Sequence, residues 1–135
     1  METRFLGSAL LVGVGGFVGS VARYGLGVAA QALSLQWPWG TLAANVLGSL
    51  LIGVVAGLLG RGVTVSIEAR LLIATGFCGG FTTLSSLMYE AAGFAREGQP
   101  LTAVGYVALT LALAALAFAL GLAVVGALVR SGPAA

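Results

Sequence analysis

Long uncharged stretches, each closed by an arginine or a glutamate, set the pattern of this chain. Residues 5–22, 24–60, 71–89 and 98–129 carry no charged side chain. A helix rises 1.5 Å per residue, and a bilayer core of roughly 30 Å takes about 20 apolar residues. The stretches therefore predict four membrane-spanning helices at about 5–30, 40–60, 69–95 and 101–129. The first competes with a secretory signal peptide, because Met1 to Val12 carries an arginine followed by an apolar run. That run continues past Val21 without a polar cleavage region, so it reads as a span. The connections are short. Gln31 to Gly40 joins spans one and two and holds Trp37 and Trp39, where an interfacial aromatic belt is expected. Arg61 to Glu68 joins spans two and three, and Arg96 to Pro100 joins spans three and four, with Pro100 suited to a first helical turn. Gly132-Pro133 closes the last helix. The expectation is an all-α, multi-pass membrane protein forming one domain over residues 1–135, in the cell inner (plasma) membrane.

Composition strengthens this reading by exclusion. Of 135 residues, 59% are hydrophobic and 7% charged, against about 25% charged in a soluble domain. A chain this short cannot bury so much apolar surface by itself. The apolar excess also excludes intrinsic disorder. Six arginines and four glutamates, net +2, are too few for a nucleic-acid-binding stripe, so no nucleic-acid partner is expected. Lipid is the expected surrounding. Arg4, Arg61, Arg70 and Arg130 fall on one side of the membrane and Arg96, with Arg23 if it reaches the interface, on the other. The bias places the termini in the cytoplasm, by a margin small enough to be compatible with insertion in both orientations. The single cysteine, Cys78, lies inside span three and has no intrachain disulfide partner.

Glycine is the second outlier, with 22 in 135 residues against a usual share of about 7%. Small residues let membrane helices approach backbone to backbone. Gly15 and Gly19 have GxxxG spacing in span one, as do Gly53 and Gly57 in span two. Four helices make a thin bundle, so these faces are expected to continue into a subunit interface. In span three, Gly76-Phe-Cys-Gly-Gly-Phe-Thr-Thr83 sets glycines and hydroxyls at mid-membrane. Gly79-Gly80 is a poor helix interior, at about 1 kcal/mol per glycine. The alternatives are close packing of an intact helix or a break there. The adjacent threonines favour a break, whose freed backbone groups must face protein, a polar cavity or an ion.

The polar residues within the spans narrow the chemistry. Asn45 shares a helix face with Thr41 and Gly48. Its amide either glues helices together or projects an N–H into an anion path. Thr82-Thr-Leu-Ser-Ser-Leu-Met-Tyr-Glu90 offers hydroxyls at Thr82, Thr83, Ser85 and Ser86, then a phenol and a carboxylate. Each hydroxyl alone often bonds its own i−4 carbonyl, but four within five residues exceed that expectation. Tyr106 and Thr110 lie one turn apart in span four and are placed to face this row. Such a donor-rich, nearly uncharged lining suits a small anion that must be desolvated without being trapped. Arg23 either draws anions toward a vestibule or snorkels as an interfacial anchor. No carboxylate or histidine lies at the middle of a span, as a proton-coupled transporter would need. A small multidrug exporter would likewise need a carboxylate to hold its cation. Catalysis lacks its groups too, with no His and no acid–base pair within the membrane.

Three segments together resemble the small fluoride channels of the Fluc (CrcB) family. They are Gly15-Gly-Phe-Val-Gly-Ser-Val-Ala-Arg-Tyr24, Gly40-Thr-Leu-Ala-Ala-Asn-Val-Leu-Gly48 and Gly76-Phe-Cys-Gly-Gly-Phe-Thr-Thr-Leu-Ser-Ser-Leu-Met-Tyr-Glu90. They occur in the family's order and spacing. The resemblance implies an antiparallel, dual-topology homodimer with two fluoride pores along the subunit interface. It also implies a structural sodium ion at the dimer centre, held by backbone carbonyls of Gly79 and Thr82 from both subunits. On the same resemblance Asn45 is the pore asparagine. Ser85 and Ser86 are the hydroxyl pair of the polar track, and Tyr106 and Thr110 continue it. Arg23 and Glu90 occupy the family's Arg and Glu positions, Glu90 at the vestibule.

One departure bears on conduction. The family pattern runs Thr-Thr-Phe-Ser-Thr-Phe, and its two phenylalanines line the pore. Here those positions are Leu84 and Leu87. A phenyl ring offers an anion its positive edge, and leucine does not. Ala114 also stands where a further hydroxyl is common. Three readings follow: a fluoride channel exporting cytoplasmic fluoride through an altered pore, one subunit of a heterodimer whose paralogous partner supplies the phenylalanines, or a non-conducting membrane protein that keeps the fold.

Overall fold

The computed structural model describes residues 2–33 and 37–129, all of whose regular structure is helical. Arg130 and the Gly132-Pro133 stop lie outside the described residues. Helix α1 runs Glu2–Ala32 and α2 runs Trp39–Gly60. Helix α3 covers residues 67–81 in three continuous pieces: α-helical Ile67–Ala69, a wide π-helical Arg70–Cys78, and α-helical Gly79–Phe81. After two extended residues, α4 runs Leu84–Arg96, and α5 runs Pro100–Leu128. Among the described residues, four segments are long and apolar enough to cross a membrane: Arg4–Ala32, Trp39–Gly60, Ile67–Arg96 and Pro100–Leu128.

Local chemistry starts and stops these helices. Ser66 caps α3 by accepting the Ala69 N–H at 3.1 Å, satisfying one of the orphan donors of a helix start. Pro100 opens α5, where its missing N–H is no loss. Gly62 (φ +72°) and Gly98 (φ +77°) make the turns after spans two and three in the left-handed region that glycine enters without steric cost.

Glycine packing builds the bundle in two pairs. A Cβ on Gly15 would overlap the Leu72 carbonyl oxygen, and one on Gly19 the Phe77 carbonyl oxygen. From the other side, a Cβ on Gly80 would overlap the Gly16 carbonyl oxygen. Span one and α3 thus touch backbone to backbone over two turns, held by dispersion rather than by expulsion of water. In the second pair, α2 lies along α5. Gly53 backs onto Phe118, Gly57 onto Leu122 and Val125, and Gly121 onto Leu50 and Val54. Both GxxxG faces thus make contacts within the chain. Against the second pair, α4 closes an apolar core of Leu42 from α2, Leu87 and Ala91 from α4, and Ala103 and Tyr106 from α5.

Span three is broken near its middle, but not at the glycines. Gly79 and Gly80 are helical. The extended residues are Thr82 (φ −84°, ψ 152°) and Thr83 (φ −154°, ψ 122°). The physical reason is twofold: Gly80 is needed small for contact with α1, and the threonines carry the hydroxyls that cap both ends of a break.

Candidate functional site

The break is held by side chains from three helices. Thr82 terminates α3, its N–H and hydroxyl both donating to the Cys78 carbonyl at 2.9 and 2.8 Å. Thr83 starts α4 as its N-cap, its Oγ1 accepting the Ser86 N–H at 3.1 Å. Asn45 from α2 grips the same residue twice. Its Oδ1 accepts the Thr83 N–H at 2.7 Å, and its Nδ2 donates to the Thr83 carbonyl at 3.1 Å. The amide thus stands in for the peptide that a continuous helix would have supplied. An unpaired peptide group in hydrocarbon costs several kcal/mol, so this clamp is what makes the extended residues tolerable. Gly48, one turn on, leaves room for the Thr82 methyl, which a Cβ there would overlap.

On the other side, the Gly80 carbonyl accepts Arg23 Nε at 3.2 Å and the Ser20 hydroxyl at 3.4 Å. A guanidinium at the carbonyl end of a half-helix opposes the negative end of its dipole. Arg23 therefore reaches inward to the break. Ser20 was not among the residues picked from sequence; its signal was its place three residues before Arg23, on the same helix face.

A second cluster lies one turn of α2 toward the span-two start. Each Glu90 carboxylate oxygen accepts one hydroxyl: Thr41 Oγ1 donates to Oε1 and the Tyr106 phenol to Oε2, both at 2.7 Å. The phenol lies 3.5 Å from the Pro38 carbonyl. Trp37 meets the Tyr106 ring edge-on at 5.7 Å and Phe94 does so at 5.9 Å. Trp37 is thus packed over the Tyr106–Glu90 pair as well as tilted against Trp39. Thr41, placed on the Asn45 face by its spacing alone, acquires its part from this contact with Glu90.

Two cavities follow from the clusters. An outer one of about 300 Å³ is lined by Trp37, Pro38, Thr41, Glu90, Phe94 and Glu97, among others. An inner one of about 240 Å³ has Asn45, Thr83, Leu84, Leu87 and Thr110 in its wall, and no charged side chain. Thr41 and Asn45, one helical turn apart, belong to one cavity each. Leu84 is 63% exposed at the edge of the inner cavity, whereas Leu87 is 1% exposed and part of the core. The serines divide as well. Thr83 Oγ1 lies 3.1 Å from Ser85 Oγ and donates to Ser86 Oγ at 3.2 Å, with Ser85 exposed and Ser86 half-buried. Thr110 is buried, its hydroxyl donating to the Tyr106 carbonyl four residues back at 2.9 Å. Tyr106 and Thr110 both face residues 82–90, at different depths: the phenol donates to Glu90, and Thr110 shares the inner cavity with Thr82 and Thr83.

The break also tests the carbonyls for a cation. In an unbroken helix the Thr83 N–H would donate to Gly79 and the Ser86 N–H to Thr82. Here those donors go to Asn45 Oδ1 and Thr83 Oγ1. The Gly79 and Thr82 carbonyls are thereby released from their helical partners, and the donor chemistry fits a hard cation.

A family model described as CrcB-like protein, Camphor Resistance (CrcB), matches residues 10–122, a range that includes both clusters and the break. The chain belongs to the CrcB family. Similar relatives include a protein of Chlorobaculum tepidum, 51% identical over 105 residues, which cover 78% of this chain and 83% of the relative. A Rhizobium etli protein is 45% identical over 122 residues, covering 90% of this chain and 98% of its own. Both carry the name Fluoride-specific ion channel FluC. Within the CrcB family, this chain is a multi-pass membrane protein with four spans.

A smaller effect is expected at the cap. Thr83→Ala removes the acceptor of the Ser86 N–H and should lower stability by about 1 kcal/mol. Thr83→Ser should hold it, and thermal melting in detergent distinguishes the two.

Proposed function

We propose that the chain is a passive channel that lets fluoride leave the cytoplasm down its gradient. The observation that carries the proposal is the inner cavity, walled by an amide, hydroxyls and apolar side chains with no charge. A small anion loses much hydration on leaving water, and neutral donors can replace that shell without binding too tightly for exit. The names of the relatives supply the anion.

Asn45 brings the amide donor to the inner cavity, Ser85 and Ser86 stand beside its Thr83 wall as the hydroxyl pair of the track, and Thr41, Tyr106 and Glu90 order the outer cavity. Leu84 and Leu87 set width without a ring edge. The Gly79 and Thr82 carbonyls would hold a sodium ion together with their equivalents in a second copy. That ion, when bound, supplies positive charge that ties the two breaks together. Exposed Leu84 and the apolar outer face of α1, with Phe5, Leu10 and Phe17 each about 70% exposed, suit burial against a second, antiparallel copy and lipid.

Liposomes loaded with fluoride and holding this chain alone should release it well above empty vesicles, as read by a fluoride electrode. Release no faster than from empty vesicles would reject the homodimeric channel. Release restored only by a phenylalanine-bearing paralogue would establish the heterodimer.

A further inference from the structure

The inner cavity contains one hydroxyl that the pore assignment above leaves unused. Ser49 lies one turn beyond Asn45 on the same face of α2 and lines that cavity, half-buried. Helices α2 and α5 run parallel, with Pro38 level with Tyr106 and Gly53 with Phe118. This register sets Ser49 at the depth of Ala114, which lines the same cavity and carries no donor.

The other hydroxyls of the cavity have their protons committed. Thr82 donates to the Cys78 carbonyl, Thr110 to the Tyr106 carbonyl and Thr83 to Ser86. Toward the cavity such oxygens present lone pairs, which repel an anion. A helical serine commonly bonds back to the carbonyl four residues earlier, but Ser49 takes part in none of the side-chain hydrogen bonds found among the described residues, so its proton is available. Beyond Ser49, α2 continues Leu-Leu-Ile-Gly-Val-Val-Ala-Gly-Leu-Leu-Gly60. Beyond Thr110, α5 runs to Leu128 with no hydroxyl at all.

We propose that Ser49 contacts the permeating anion directly, receiving it from Asn45 as the innermost donor that α2 and α5 provide. This rests on the channel reading. Past the Asn45 clamp, an anion between these helices meets Ser49 or hydrocarbon.

Valine and threonine have nearly the same shape and differ by the hydroxyl, so they isolate the donor from packing. Fluoride efflux from liposomes is compared for the unsubstituted chain, Ser49→Thr and Ser49→Val, each eluting as one monodisperse species. Ser49→Thr is expected to keep at least about a third of the rate. Ser49→Val is expected to lose roughly a hundred- to a thousandfold, the scale of removing one preorganised donor from a low-dielectric site. Equal rates in the two variants, whether both fast or both slow, overturn the Ser49 assignment and leave the channel reading standing. No flux from the unsubstituted chain overturns both.

Discussion

Asn45→Asp protein is expected to release fluoride at least about a hundredfold more slowly than the unsubstituted chain, since removing one preorganised donor costs 10²–10³ in rate in comparable sites. The substitution keeps the oxygen that accepts the Thr83 N–H and removes the N–H that holds the Thr83 carbonyl. It also sets a carboxylate in the wall of a cavity that has no charged lining. At short range in a medium of low dielectric, like charges repel by several kcal/mol. The same liposome assay measures the rate, and a single symmetric elution peak shows that the break is still held. Flux near the unsubstituted rate in a well-folded Asn45→Asp protein would make Asn45 a structural clamp only and move the anion path elsewhere.

Gly80→Val is expected to prevent the chain from accumulating as a monodisperse membrane protein. A Cβ at Gly80 would overlap the Gly16 carbonyl oxygen and lie 3.0 Å from the Gly16 Cα. The obstacle is backbone, which cannot turn aside as a flexible side chain does. Overpacking costs about 1–3 kcal/mol and occasionally more, and a backbone obstacle sets this case at the upper end. It also parts α1 from α3, withdrawing Arg23 and Ser20 from the Gly80 carbonyl at the break. Gly105→Ala is the control. A Cβ there meets nothing within 4 Å, and alanine favours the helix by about 1 kcal/mol. Size-exclusion profiles and melting curves in detergent check both. If Gly80→Val melts with the parent, the α1–α3 contact is not what holds the bundle.

How far the site was legible depends on the distance over which each residue acts. The spans were legible because a bilayer imposes length and freedom from charge, both local properties: spans predicted at 40–60 and 101–129 are Trp39–Gly60 and Pro100–Leu128. That span three breaks was also legible, since glycines and threonines at mid-membrane are poor helix interior. Its position was not. Gly79-Gly80 and Thr82-Thr83 are equally suspect to propensity, and the choice was made by contacts from α1 and α2. Asn45 shows the same limit. Its type and depth marked it as a group needing partners, but sequence offered bundle glue and anion donor as alternatives. The fold joins it to Thr83, 38 residues away.

The alternation of apolar stretches and isolated charges by itself determined four membrane helices, their connections and the poverty of charge at mid-membrane, because hydration of charge and backbone depends only on residue type and burial in lipid. Tertiary structure alone decided which glycines meet, where span three opens and which hydroxyls reach Glu90. Those outcomes depend on groups brought together from distant parts of the chain. A hydroxyl's use is set by its nearest acceptor: Thr110 finds one in its own helix, and Glu90 finds its donors in Thr41 and Tyr106.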